Sequence, residues 1–306
     1  EEGAISLCAG NEYGVFAATP GDGNFPEDIE ELFPSFRKYR TIGIQTSRGC
    51  RNRCIYCTYP ILEGRKLRPR KPEQVAQEME ILSRKYGKRD FFIVDSLFNA
   101  SEVHLLQALE EILRLGLDIQ FSCYLQPRIS DTSIIGLLKR AGCVAIDFGT
   151  DSGSMKMLLS MNKGFIPEDI RKASAACTAE GIDFSHSLIF GGPGETRETI
   201  RETVKLMDEV SPRAVVAMTG VRIYPGTEME MIARREGYIA EGESLLSPRF
   251  YFSGLGAYNL IREVRSAACS RRNWFLPGER DRSVSIGHRL LYFLYRKGPL
   301  WRTFKK

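Results

Sequence analysis

Ile42-Gly43-Ile44-Gln45-Thr46 runs straight into Ser47-Arg48-Gly49-Cys50-Arg51-Asn52-Arg53-Cys54-Ile55-Tyr56-Cys57, and the rest of the chain is read outward from this stretch. β-branched residues at alternate positions predict a strand. The loop that follows carries thiols at 50, 54 and 57. The pattern then repeats. Short β-rich runs at 42–46, 91–95, 119–124, 144–149, 184–190 and 214–223 alternate with amphipathic helical stretches, which predicts a parallel α/β sheet. Most of these runs are nearly all apolar, as strands covered on both faces must be. Pro72 opens one helix, with Val75, Met79, Leu82 and Tyr86 on one face before Gly87. Ser101 caps another, whose stripe is Val103, Leu106, Leu109 and Leu113, and Pro167 with Glu168 and Asp169 starts a third. Six βα units imply a partial (β/α)6 TIM-type barrel over 41–236. Residues 1–40 read as a connector from an upstream domain. Residues 237–306 read as a mainly helical C-terminal extension with helices at 255–268 and 283–295.

Composition narrows the class. Over 306 residues, 43% hydrophobic and 26% charged are ordinary globular values, which exclude a disordered tail or a disulfide-dense miniprotein. Lys plus Arg (43) against Asp plus Glu (38) leaves +5, with no concentrated basic stripe, so no nucleic-acid partner is expected. No apolar run reaches the ~18 residues of a membrane span. Three clustered and five scattered cysteines suit metal binding in a reducing, cytoplasmic compartment better than a disulfide framework. The first residue is Glu1, which implies a piece whose upstream part is unseen.

Three thiols without a fourth is the informative number. A closed zinc site takes four protein ligands, and no second CxxC or HxxxH follows. An iron–sulfur cube held by Cys50, Cys54 and Cys57 leaves one iron open to an outside chelator. Arg48, Arg51 and Arg53 are expected to lower the thiol pKa values and offset the cluster's negative charge.

The CxxxCxxC loop after a first strand, with an aromatic before its last cysteine, resembles the radical S-adenosylmethionine (SAM) enzymes. That resemblance implies a 4Fe-4S cluster on Cys50, Cys54 and Cys57. It also implies that the open iron binds SAM and that reductive cleavage yields a 5′-deoxyadenosyl radical for hydrogen abstraction. Tyr56 would lie beside the adenine or shield the cluster. Asp95 and Ser96 at the second strand end would hold the SAM ammonium, or Asp95 would cap the Ser96 turn. Arg128 would reach the SAM carboxylate or stay at the surface. Asp151, in Asp147-Phe-Gly-Thr-Asp-Ser-Gly-Ser, stands where the family usually has a glutamate, and it contacts SAM or belongs to a helix N-cap region. Ile189, Gly191 and Gly192, in Ser187-Leu-Ile-Phe-Gly-Gly-Pro-Gly-Glu-Thr, resemble the segment that packs on adenine. Tyr124, His186 and Tyr224 are the candidates to face substrate, although His186 reads more readily as a hydrogen-bonded interior histidine. His104 is expected to be solvated and His288 structural.

Arg272-Asn-Trp-Phe-Leu-Pro-Gly and Lys297-Gly-Pro-Leu-Trp resemble the C-terminal region of the branch that carries an N-terminal cobalamin-binding domain. Either that domain precedes Glu1 or the protein does without cobalamin. The branch implies methyl transfer to an unactivated carbon of a small-molecule or lipid-like substrate, with a one-electron donor such as flavodoxin or ferredoxin. The apolar, aromatic and basic mix of 288–306 allows peripheral membrane contact or docking on the domain. Competing readings are a cobalamin-independent radical SAM oxidoreductase or methylthiotransferase, and a non-catalytic iron–sulfur electron-transfer module.

Overall fold

The computed structural model describes residues 29–240, 242–276 and 298–303. β1 (Thr41–Ile44), β2 (Asp90–Ile93), β3 (Gln120–Leu125), β4 (Cys143–Asp151), β5 (Asp183–Phe190), β6 (Ala214–Thr219) and β7 (Trp274–Phe275) lie side by side in chain order, each pair parallel. The crossovers carry α1 (Pro72–Tyr86), α2 (Glu102–Leu115), α3 (Ser133–Arg140), α4 (Pro167–Glu180) and α5 (Arg197–Val210), and α6 (Gly256–Cys269) precedes β7. This is the α/β partial barrel that the alternation implies. The helices stop where the sequence says. Gly87, Gly116 and Gly181 take left-handed geometry at the ends of α1, α2 and α4, and Ser101 accepts the His104 N–H at the start of α2.

Two features differ from the sequence reading. The run at 214–223 breaks at Gly220, whose φ of +85° turns the chain while its N–H bonds to Phe190 at 2.8 Å. Val221–Ile223 then pairs antiparallel with Arg249–Tyr251. The C-terminal extension also contributes a seventh strand: Trp274 and Phe275 pair with Val215 and Val216 of β6. A two-residue strand is too short for any periodicity to reveal. The expected helix at 283–295, with His288, lies outside the described residues, as does Cys8.

Alternation divides the strands into two faces. Ile44, Phe91, Ile93, Phe121, Cys123, Leu125, Ile146 and Phe148 join the core under the helices. The opposite face looks into a lumen, where Val94, Tyr124 and Met218 remain 37%, 42% and 41% exposed. At the bottom, Trp301 is buried against Ala145 and Ala214, held by the Arg302 to Asp183 bond of 2.8 Å and by Arg213, which donates to the Arg302 carbonyl. Of the terminal segment, whose composition allows membrane contact or docking on the domain, these described residues dock on the barrel. Among the described residues, no helix is long and apolar enough to cross a membrane.

Candidate active site

The cysteine loop leaves the carboxyl end of β1, the end at which a parallel barrel presents its ligands. Its root is fixed by a neighbour. Asp95, 1% exposed, accepts hydrogen bonds from the Thr46 N–H at 2.6 Å, the Thr46 hydroxyl at 2.5 Å and the Ser47 hydroxyl at 2.8 Å. Ser96 Oγ donates to the Gly49 carbonyl at 3.3 Å. Burial raises the Asp95 pKa against the pull of these donors. Both residues therefore hold the strand end that launches the loop, and the hydrogen bonds of the Asp95 carboxylate go to that root. Gly49 has φ +90°, and a Cβ there would come within 2.3 Å of the Lys66 carbonyl, so only glycine fits this turn. The Cys50 N–H bonds to the Gly64 carbonyl at 3.1 Å.

Further along, the loop is pinned by two backbone bonds at Ile55. Its N–H meets the Met161 carbonyl at 3.3 Å, and its carbonyl accepts from Met229 at 2.8 Å. Cys50, Cys54 and Cys57 are free thiols in one electrostatic neighbourhood, Cys50 and Cys57 acting on Cys54 and Cys50 on Cys57. Burial pushes Cys54 up to about 11 and also raises Cys57. The cation that counters this is Lys163, not the arginines. Arg51 and Arg53 point to solvent, and Arg48 bonds to Gln45 at 2.7 Å. Buried thiols that resist ionisation alone become good ligands once positive irons stand among them. Among the described residues, no group of three His, Cys, Asp or Glu side chains converges on a single metal ion. An iron–sulfur cluster asks for no such convergence, because each thiolate binds a different iron.

Beside the thiols lies a buried polar triad. The Tyr56 hydroxyl donates to Asp151 Oδ2. Lys163 Nζ forms an ion pair with the same oxygen at 2.7 Å and donates to the Tyr56 oxygen at 3.2 Å. The Asp151 and Lys163 side chains are only 5% and 7% exposed. Lys163 also stands 5.6 Å over the Tyr56 ring and 5.7 Å over that of Phe165. Burial and the Asp151 charge together raise the Tyr56 pKa. Burial alone would lower that of Lys163, but Asp151 and the thiols prevail and raise it. Asp151 takes φ +63° at the end of β4, with register slipping between Phe148 and Asp151, and that irregularity re-aims its side chain.

The other expected residues divide. Ile189 packs in one apolar cluster with Tyr56, Ile55 and Met161. At Gly191 and Gly192 an added Cβ would come within 2.5 Å of Leu260 and 2.7 Å of Met161, so protein fills that side of the glycines. Glu195 fixes their loop by accepting the Gly191 N–H at 3.0 Å. Arg128 is exposed and donates to the Gly164 carbonyl at 3.3 Å, next to Lys163. Tyr124 projects into the lumen and meets Phe92 edge-on at 5.2 Å. Tyr224 is half-buried beneath the Arg222 guanidinium, 4.8 Å above its ring.

His186 does not face the lumen. It is fully buried on the helix side, between the Thr150 hydroxyl at 2.6 Å and the Ser174 hydroxyl at 3.1 Å, and stacked on Phe148. Burial lowers its pKa to about 3 and keeps it neutral. Its place in the alternation, one residue from Ser185 and Ser187, decides this. His104, expected to be solvated, is likewise buried, near Asp95. Sequence reasoning missed Lys163 and Asp147. Lys163 sits between two left-handed residues, Asn162 and Gly164, in a turn that carries it inward. Asp147 is the one carboxylate in mid-strand on β4, a signal that was available in its apolar surroundings.

A parallel βα barrel with three free thiols on the loop after its first strand defines a cluster-binding barrel. The Radical SAM superfamily model matches residues 44–207, and the chain belongs to that superfamily. Membership brings a 4Fe-4S cluster and SAM, and the thiols and their loop fit such a cluster. The chain is 27% identical over 214 residues to an uncharacterized methyltransferase of Pyrococcus horikoshii, covering 66% of this chain and 46% of that protein. It is 31% identical over 208 residues to tryptophan 2-C-methyltransferase of Streptomyces laurentii, covering 62% and 35%. It thus spans less than half of either relative. The structure of the radical SAM methyltransferase TsrM from Kitasatospora setae, with cobalamin and a 4Fe-4S cluster bound, superposes with a TM-score of 0.74 over 88% of this chain and 60% of that one, at 24% identity. At that identity the likeness shows the fold.

Proposed function

We propose that this chain is the catalytic barrel of a cobalamin-dependent radical SAM methyltransferase, which methylates an unactivated carbon of a small, largely apolar molecule held in the lumen. The observation that carries the reading is the loop at the barrel mouth, with Cys50, Cys54 and Cys57 in one electrostatic neighbourhood and no fourth ligand among the described residues. The methyltransferase relatives support the reaction type. With cluster, SAM and cobalamin bound, these groups supply one-electron cleavage of SAM and a methyl carrier.

The chain's own residues hold and shield. Asp95 and Ser96 fix the root of the loop, Tyr56 and Ile189 form its apolar lining, and Asp151 with Lys163 keeps a paired charge beside the thiols. Phe92, Val94, Tyr124 and Met218 give the lumen its apolar wall. A flavodoxin or ferredoxin would deliver the electron.

Incubating the anaerobically reconstituted protein with SAM, a reductant and hydroxocobalamin tests this. Formation of both S-adenosylhomocysteine and 5′-deoxyadenosine supports methyl transfer. 5′-Deoxyadenosine alone favours the oxidoreductase, and unconsumed SAM overturns both.

A further inference from the structure

In the middle of β4 a carboxylate stands on the lumen face, whose other carboxylates, Asp90 and Asp183 at the strand starts, are held by Thr41 and Arg302. Asp147 alternates with Ile146 and Phe148, which lie in the core beneath the helices, so it faces the lumen. The register sets Tyr124 of β3, Asp147, Ser185 of β5 and Ala214 of β6 in one row. Ser185 Oγ donates to Asp147 Oδ1, and the Trp301 indole closes the space beneath, beside the carboxylate.

Among the described residues no lysine or arginine influences Asp147, and burial pushes it up to about 6. Ser185 and the Trp301 indole only partly offset burial, and a carboxylate so placed without a counter-ion is costly to keep ionised, a cost that a cationic partner removes. The lumen wall above it is apolar and open. Tyr124 and Phe92 meet edge to face, and Val94, Tyr124 and Met218 keep more than a third of their surface exposed. An apolar chamber with one convergent polar group orients a ligand by that group.

The geometry points to Asp147 as the anchor for the substrate's donor end, which selects molecules with an apolar or aromatic body and a protonated amine. This deepens the proposed function and rests on the reading of the lumen as the substrate chamber. Ser185 holds the carboxylate in place, and Trp301 forms the floor that sets how deep the amine can go. A ligand carboxylate in the same position would meet like charge.

Calorimetric titration of the cluster-loaded protein with 2-phenylethylamine and with 3-phenylpropionate tests the assignment. The amine is expected to bind at least about tenfold tighter, the scale of one charge-assisted hydrogen bond. Asp147→Asn, nearly isosteric, should abolish the difference, while Ser185→Ala, which keeps the charge, should retain most of it. Equal affinities, a preference for the acid, no saturable amine binding, or an undiminished preference in Asp147→Asn would overturn the proposal. Iron content and melting temperature check that each variant is folded, and Asp147→Ser decides the matter if the asparagine variant fails that check. SAM consumption, followed on the same samples, separates the two readings. Its absence in a protein that still prefers the amine faults the chemistry and leaves the anchor standing.

Discussion

The mouth of the barrel and its floor both bury carboxylates, and they treat them differently. At the mouth, Asp151 is met by Lys163 at 2.7 Å and by the Tyr56 hydroxyl, and Asp95 receives three hydrogen bonds from the root of the cysteine loop. These charges are satisfied from within the chain, as a scaffold for a cluster requires. At the floor, Asp147 has Ser185 and the Trp301 indole but, among the described residues, no cation. The contrast separates carboxylates that hold the site together from one that is left to interact with something else.

The largest effect that could break this comparison lies at the mouth. Cys54→Ala should abolish cluster binding, read as iron and sulfide content after anaerobic reconstitution; wild-type iron in that variant would remove Cys54 from the ligand set. Lys163→Met comes next, since it leaves the Asp151 carboxylate buried without its cation. Breaking one side of a buried pair costs about 3–5 kcal/mol. Denaturant unfolding should show that loss, and pairing it with Asp151→Leu should restore part of it.

At the floor the sign reverses. Asp147 has a folded pKa of about 6, above the ordinary value of 3.8, so the folded state holds the proton more tightly. The stabilisation this gives is complete below about pH 4 and is lost as pH rises to about 6, amounting to about 3 kcal/mol for a shift of roughly two units. Asp147→Asn should therefore be more stable than wild type at pH 7.5, with a smaller advantage at pH 5. Unfolding midpoints at the two pH values check this, and a variant less stable at pH 7.5 would show that the carboxylate is stabilised by a partner. The smallest effect belongs to the tether of the floor. Asp183→Asn weakens the Arg302 contact, in which both side chains are partly exposed, and should cost about 1 kcal/mol or less.

The sequence exposed the mouth far better than the floor. Thiol spacing after a β-branched run is local information, and so are the glycines that stop α1, α2 and α4, so barrel, loop and ligand candidates could all be read from neighbours in the chain. The Tyr56, Asp151 and Lys163 triad joins residues 95 and 107 positions apart, and only the turn at 161–164 brings Lys163 to the thiols. His186 was legible as a strand residue but not as a helix-facing one, because near-continuous apolar strands hide which parity looks inward. Register against Asp147 and Ser185 settles that parity. Trp301 closes the barrel from a segment that contacts strands more than 80 residues earlier, a placement no periodicity carries.

The central claim is that Cys50, Cys54 and Cys57 bind a cluster with one iron left open for SAM. Electron paramagnetic resonance of the reconstituted, reduced protein with and without SAM tests it most directly. The account predicts a cluster signal that shifts when SAM is added and that is absent from Cys54→Ala. A signal unchanged by saturating SAM would contradict it.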